Sequence, residues 1–262
     1  MLIDTHCHIH ESDYPIHGDD VIERAHNAGV MQMICIGTNI SDSQLAIDFA
    51  SKYDRVFASI GVHPHYADND GDKLRRLVGL LYSTENQQKL VAIGEIGLDY
   101  HYSDSPSPEN QSKLLKQQIE LALEHDLPII FHVREAYDDF WKVLDSFKDD
   151  GRQIRGVLHC FTDTIDNLNE GLRRGFYISV NGISTFTKDN VQKSMFASIP
   201  IDKLLLETDA PWLIPNPLRG KVKTNEPAFI REIAEFNSTI YNLSFDEIAD
   251  VTTANARKLF KL

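Results

Sequence analysis

The sequence predicts an α/β chain folded as a single (β/α)8 TIM barrel over residues 1–262, with its chemistry at the C-terminal ends of the strands. Three observations carry this. Eight short apolar runs, often β-branched, recur along the chain. Segments of helical periodicity separate them, and strands alternating with helices pair in parallel through right-handed crossovers. The length of 262 residues is near that of one such barrel, and eight units fit a closed barrel better than an open sheet. No linker, low-complexity tract or internal repeat divides the chain, so one domain is expected.

The first run, "LIDTHCHI", alternates so that His6, His8 and His10 share one strand face while Cys7 and Ile9 share the other. "MQMICIGT" is the second strand, and "SDSQLAIDFASKYD" follows as a helix with Ser41 as its N-cap and Leu45, Phe49 and Ala50 on its apolar face. "VFASIGVHP" and "LVAIGEIGL" are the third and fourth strands. The helix "ENQSKLLKQQIELALEHD" aligns Leu115, Ile119, Ala122 and Leu123, and Pro128 opens the fifth strand, "PIIFHVR". "AYDDFWKVLDSFKDD" is helical, "GVLHCF" is the sixth strand, and "NLNEGLRRG" is a helix stopped by Gly175. "FYISVNG" and "LLLETDAPW" complete the barrel, and Ser244 with Glu247 has the spacing of a capping box opening a terminal helix.

Composition bounds the partners. Hydrophobic residues at 42% and charged residues at 25% describe an ordinary globular protein, and no stretch has the apolar length to span a bilayer. The start lacks a signal-peptide pattern, and three scattered cysteines (Cys7, Cys35, Cys160) read as buried thiols of a reducing compartment, so a cytoplasmic location is expected. A net charge of −13 argues against gripping nucleic acid through a broad basic surface, though not against a phosphodiester substrate held at a metal site. Apolar residues on the helices read as core, so no obligate protein partner is inferred.

The strand ends are the informative places. They carry His6 and His8 on the first run, His63 on the third, Glu95 on the fourth, His132 on the fifth, His159 on the sixth and Asp209 on the eighth. Singly, each has an ordinary explanation as a hydrogen-bonded histidine, a surface acid or a cap. Together on one barrel mouth, His6, His8, His132, His159, Glu95 and Asp209 suit two divalent cations with open positions. Strand adjacency groups His6, His8 and Asp209 around one ion and His132 with His159 around the other, with Glu95 bridging. Such a pair, about 3.5–4 Å apart, polarises a phosphoryl oxygen and generates a nucleophile. Asp209 is the candidate to orient or deprotonate the attacking water. His10 is expected to lie past the site. Histidine-rich ligation suits Zn2+, Mn2+ or Co2+, whereas phosphodiesterases often use Mg2+.

The ordered series "DTHCHI", "IGVHPH", "AIGEIGLDY", "HVREA", "LHCFTDT", "LLLETDAPWL" and "TNEPAFI" resembles the TatD family of metal-dependent deoxyribonucleases, part of the amidohydrolase-like superfamily, over nearly the whole chain. The resemblance implies the same six ligands, with Glu95 as bridge. It further implies that His63 contacts the scissile phosphate, with His65 as a second contact, and that Asn225 and Glu226, which match the family's Asn-Glu-Pro, contact the substrate. Arg134, on the strand face of His132, is placed to meet a phosphate or to pair with a loop acid. In the loop 215–227, Arg219, Lys221 and Lys223 either hold a strand's backbone or belong to a solvated loop whose Pro227 starts the next helix. Tyr100, Phe161 and Trp212 either stack bases or pack at loop bases, and packing is the preferred reading of Trp212. Two features set the chain apart: Asp163 replaces a family glycine, and "HYSDSPSPEN" reads as an irregular lid.

The leading expectation is a metal-dependent deoxyribonuclease trimming single-stranded DNA from the 3′ end. A hydrolase of an amide, lactone or aminoacyl ester on the same fold is the alternative, and a metal-binding scaffold without turnover is a third. Glu95, where such amide hydrolases often bridge with a modified lysine, favours the nuclease.

Overall fold

Each of the eight apolar runs becomes a strand in the computed structural model, which describes residues 1–68, 73–82 and 88–262. The strands are β1 (Leu2–Cys7), β2 (Val30–Ile36), β3 (Val56–Ile60), β4 (Leu90–Asp99), β5 (Ile129–Arg134), β6 (Gly156–Leu158), β7 (Tyr177–Val180) and β8 (Leu204–Leu206). Each pairs in parallel with the next in chain order. The ring closes beyond β8, where Cys7 bridges Ala210, His8 N–H donates to Ala210 O at 2.7 Å and Asp209 N–H donates to His6 O at 2.9 Å.

The crossovers and terminal segment provide α1 (Gly18–Asn27), α2 (Ile40–Ala50), α3 (Lys73–Tyr82), α4 (Pro108–Glu124), α5 (Tyr137–Asp145), α6 (Ile165–Arg173), α7 (Gly182–Phe186), α8 (Asn190–Ala197), α9 (Ile230–Tyr241) and α10 (Phe245–Phe260). Local chemistry sets their ends. Ser107 caps α4 with Pro108 in its first turn, Gly175 follows α6 at φ +88°, and Ser244 with Glu247 forms the expected capping box of α10. Ser41 is not the cap of α2. Asn39 is, its Oδ1 accepting from Ser41 and Asp42 N–H, because helical geometry already begins at Ile40.

One apolar cluster joins Ile3, Ile34, Val91, Ile130, Val157 and Leu205 inside the barrel, with Leu259 and Phe260 of α10 packed against it. That contact plugs the end holding the strand N-termini, where Thr253 of α10 donates to Met1 O and Asn255 Nδ2 donates to Leu204 O at the start of β8. A larger cluster fills the layer between strands and helices. With one end plugged, the only way into the barrel is the opposite mouth, where the polar residues gather. No helix of the described residues is long and apolar enough to cross a membrane.

Candidate metal centre

Four strand ends and two strand interiors build the site. His6 lies on β1 and His8 just past it; Glu95 lies within β4 and His132 within β5; His159 and Asp209 follow β6 and β8. Nε2 of His6 and Nε2 of His8 are 3.1 Å apart, and each lies 3.6 Å from Asp209 Oδ1. Glu95 turns one oxygen to this set, Oε2 lying 3.5 Å from His6 Nε2 and 4.0 Å from His8 Nε2. Its other oxygen, Oε1, lies 2.7 Å from His132 Nδ1, 2.9 Å from His159 Nε2 and 3.6 Å from His63 Nε2. The two sets expected from the strand order are therefore brought together around one carboxylate.

The fourth strand runs through Glu95 to Asp99, one residue past the expected run "LVAIGEIGL". A register shift between Ile93 and Ile96 reorients the strand, and Glu95, Gly97 and Asp99 then follow with period two. Gly97 is required there: a Cβ would stand 1.7 Å from His132 O. Asp99 accepts from outside the ring of ligand atoms, with Oδ2 2.9 Å from His132 Nε2 and 3.2 Å from His65 Nε2. Glu207 faces His159 more loosely, its Oε1 lying 3.5 Å from Nδ1 without a hydrogen bond. Ser179, Asn181 and the Cys160 N–H all donate to Glu207. Sequence reasoning missed Asp99 and Glu207 as partners of the histidines, although both lie in the quoted motifs "GEIGLDY" and "ETDAPWL".

Electrostatics follow from this packing. Burial pushes the Glu95 carboxyl up, but His159, His132 and His6 hold it ionised, well below the usual carboxylate range. Asp209 is likewise held low against burial by His8, His6 and His159. Burial and facing imidazoles lower His6 and His63, whereas the carboxylates Glu95 and Glu207 raise His159 against its burial. The donor set fits divalent cations. One shared proton serves a single pair among His6, His8, Glu95 and Asp209, whereas a cation at their centre serves all four. The outer nitrogens of His132 and His159 face carboxylates, the arrangement that fixes ring orientation in histidine metal sites. Three groups have ligand atoms within 4.8 Å of one another: His6–His8–Asp209, His6–Glu95–His159 and His63–Asp99–His132. In the third, Asp99 is taken up by His132, His65 and the His101 N–H.

The other expected residues divide sharply. His63, His65 and Arg134 line the cavity of about 730 Å³ that opens over the centre. His63 Nδ1 accepts from His65 N–H at 3.2 Å, which leaves the ring proton on Nε2 as a donor into the cavity. Arg134 lies over the Tyr102 ring, 5.5 Å from its centroid. Asn225 and Glu226 are turned inward instead. Asn225 is fully buried and its Nδ2 donates to Thr208 O and Trp212 O, while Glu226 meets Arg24 Nε at 2.8 Å. Their direct role at a substrate is therefore corrected to that of a brace under the loop after β8. Arg219 packs 3.9 Å over Phe186 and does not line the cavity; neither do Lys221 and Lys223, both exposed. Asp163 accepts from Thr164 N–H and Asn167 at the start of α6. The aromatic residues divide too: Phe161 is core and Tyr100 is half-buried against Asp139, whereas Trp212, expected to pack, is 51% exposed at the mouth. His10 is paired with Asp42 at 3.0 Å, behind His8.

Comparison with known proteins agrees with the barrel fold and with a metal-dependent hydrolase. A family model described as TatD related DNase matches residues 3–261. A Bacillus subtilis protein named as an uncharacterized metal-dependent hydrolase, YabD, is 37% identical over all of both chains. The Erwinia tasmaniensis 3′-5′ ssDNA/RNA exonuclease TatD is 37% identical over 93% of each chain. Among solved structures, the TatD homolog YJJV of Escherichia coli superposes with a TM-score of 0.90 at 30% identity, covering 100% of this chain and 98% of that one.

Proposed function

The chain belongs to the TatD-related DNase family of metal-dependent hydrolases, and we propose that it removes nucleotides from the 3′ end of single-stranded DNA at a two-metal centre bridged by Glu95. The observation that carries this reading is the pair of Glu95 oxygens, each facing a different set of imidazoles. His6, His8 and Asp209 would hold one cation and His132 and His159 the other. Bound Mg2+, Mn2+ or Zn2+ would supply the charge that polarises a phosphoryl oxygen and makes water nucleophilic near neutral pH.

The chain's own residues do the rest. Asp209 is ionised at the mouth and takes the proton of the attacking water. His63 Nε2–H donates to a non-bridging phosphate oxygen. His65 and Arg134, on the same wall, orient the phosphate from the rim. The 3′ polarity and the single-strand preference are supported by the name of the Erwinia relative, which also extends to RNA. A cytoplasmic location suits three free cysteines.

The test is digestion of 3′-labelled and 5′-labelled single-stranded DNA with Mg2+, Mn2+ or EDTA, beside Glu95→Ala. Stepwise metal-dependent shortening of the 5′-labelled strand, lost in the variant, is expected. No cleavage by protein carrying two metal ions per chain would sink the assignment.

A further inference from the structure

Three aromatic side chains stand half in water around this mouth. Tyr66, Tyr102 and Trp212 are 47%, 48% and 51% exposed, and all three line the cavity. Trp212 follows β8, whereas Tyr102 follows β4. In a closed ring of eight strands paired in chain order, those two loops stand on opposite walls.

Both rings are anchored. Trp212 N–H donates to Asp209 O at 2.9 Å, its carbonyl accepts from Asn225, and its indole meets the His8 ring edge-on at 5.1 Å. Tyr102 stands edge-on to His65 at 5.4 Å, with the Arg134 guanidinium over its face. Each ring therefore touches a residue of the centre while keeping half its surface free. The charge of the lining shows what such rings are needed for. Among the described residues Arg134 is its single Lys or Arg, against Glu11, Glu95, Asp99 and Asp209. Cationic side chains alone do not hold a polyanion here.

Building on the nuclease reading, we propose that Trp212 and Tyr102 stack the two bases that flank the scissile phosphate, one on each wall. The substrate is thus gripped as a dinucleotide step with its phosphate over the Glu95 bridge. Bases are free to part onto opposite walls only in a single strand, so the arrangement selects unpaired ends. Aromatic faces accept any base, which makes the grip tolerant of sequence.

The experiment uses metal-loaded protein and short oligodeoxynucleotides, either intact or with one abasic residue at the terminal or the penultimate 3′ position. Trp212→Ala and Tyr102→Ala are each expected to raise KM for the intact strand about tenfold or more, with kcat far less affected. Trp212→Phe and Tyr102→Phe should restore most of the loss. Each alanine variant should become indifferent to the abasic residue at one position, and the two variants at different positions. A second readout needs no turnover. Trp141 and Trp212 are the two tryptophans, and only Trp212 lines the cavity. An intact strand with phosphorothioate 3′ linkages should therefore quench fluorescence that Trp212→Phe lacks. Wild-type KM on both abasic strands, or no quenching by the intact strand, overturns the inference. Failure of the nuclease reading looks different: the wild type would bind and quench yet cleave no strand in any metal.

Discussion

At the scale of single residues, the site rests on carboxylates that touch no substrate. Asp99 and Glu207 face the outer nitrogens of His132 and His159, and their loss frees the rings to turn. Asp99→Asn and Glu207→Gln should each lower metal affinity or turnover about 10–100-fold while the fold persists. Metal analysis after dialysis against graded chelator, with circular dichroism as control, checks this. A second buried pair gives a pH signature. Burial pushes His10 down, but the Asp42 carboxylate and the Cys35 sulfur together outweigh it and lift the imidazole to about 10, while Asp42 itself is held below the carboxylate range. The raised histidine stabilises fully below its unfolded pKa of about 6.5, and that part is lost as pH rises through its folded value. The depressed aspartate contributes above about 3.9 and is lost as pH falls through its folded value. Asp42→Asn should therefore cost about 3–5 kcal/mol near pH 6 and progressively less toward pH 10, measured by urea unfolding. An equal cost at both pH values would contradict the assigned charge. The ligand histidines were legible because imidazoles at strand ends are chemically conspicuous. Asp99 and Glu207 were not, because an acid's use depends on which neighbour's nitrogen the register brings to it.

Among the elements, β4 governs the geometry. It supplies Glu95, whose two oxygens face the two imidazole sets, and its approach to β5 sets how His132 meets that carboxylate. Gly97 permits the approach, since an added methyl would overlap His132 O. Gly97→Ala should cost about 3 kcal/mol or more and should displace His132, so stability and metal content fall together. Gly79 in α3 is the control, with nothing within 4 Å of an added Cβ. Gly79→Ala should stabilise by about 0.5–1 kcal/mol through helix propensity alone, with metal content unchanged. Thermal unfolding with metal analysis separates the two outcomes. Element types and order were readable from period and punctuation, as with Gly175 and the Ser244–Glu247 box. Details decided by distant partners were not. Asn225 and Glu226 look like exposed loop residues until Thr208 and Arg24 are brought against them.

For the whole molecule, charge makes an unusual demand on the proposed nuclease activity. A net charge of −13 repels a polyanion, and among the described residues the cavity offers one Arg or Lys. Two salt effects then oppose each other. Added salt screens the long-range repulsion, with a Debye length of about 10 Å at 0.1 M, and so speeds encounter. It also weakens each phosphate contact, by a slope of about −0.7 in log affinity against log salt per contact on a single strand. With Arg134 as the one Lys or Arg proposed to meet a phosphate outside the metal centre, the net slope should be no steeper than about −1. Measuring kcat/KM for a labelled single strand between about 50 and 200 mM KCl at saturating metal tests this. A slope near −4 or steeper would require a basic track on the outer surface, and affinity would then come from backbone neutralisation. A shallow slope assigns the grip to the metal centre and the aromatic walls, which salt leaves largely untouched. An acidic barrel of this kind would act on strand ends that enter its mouth and would leave the flanks of long polyanions unbound.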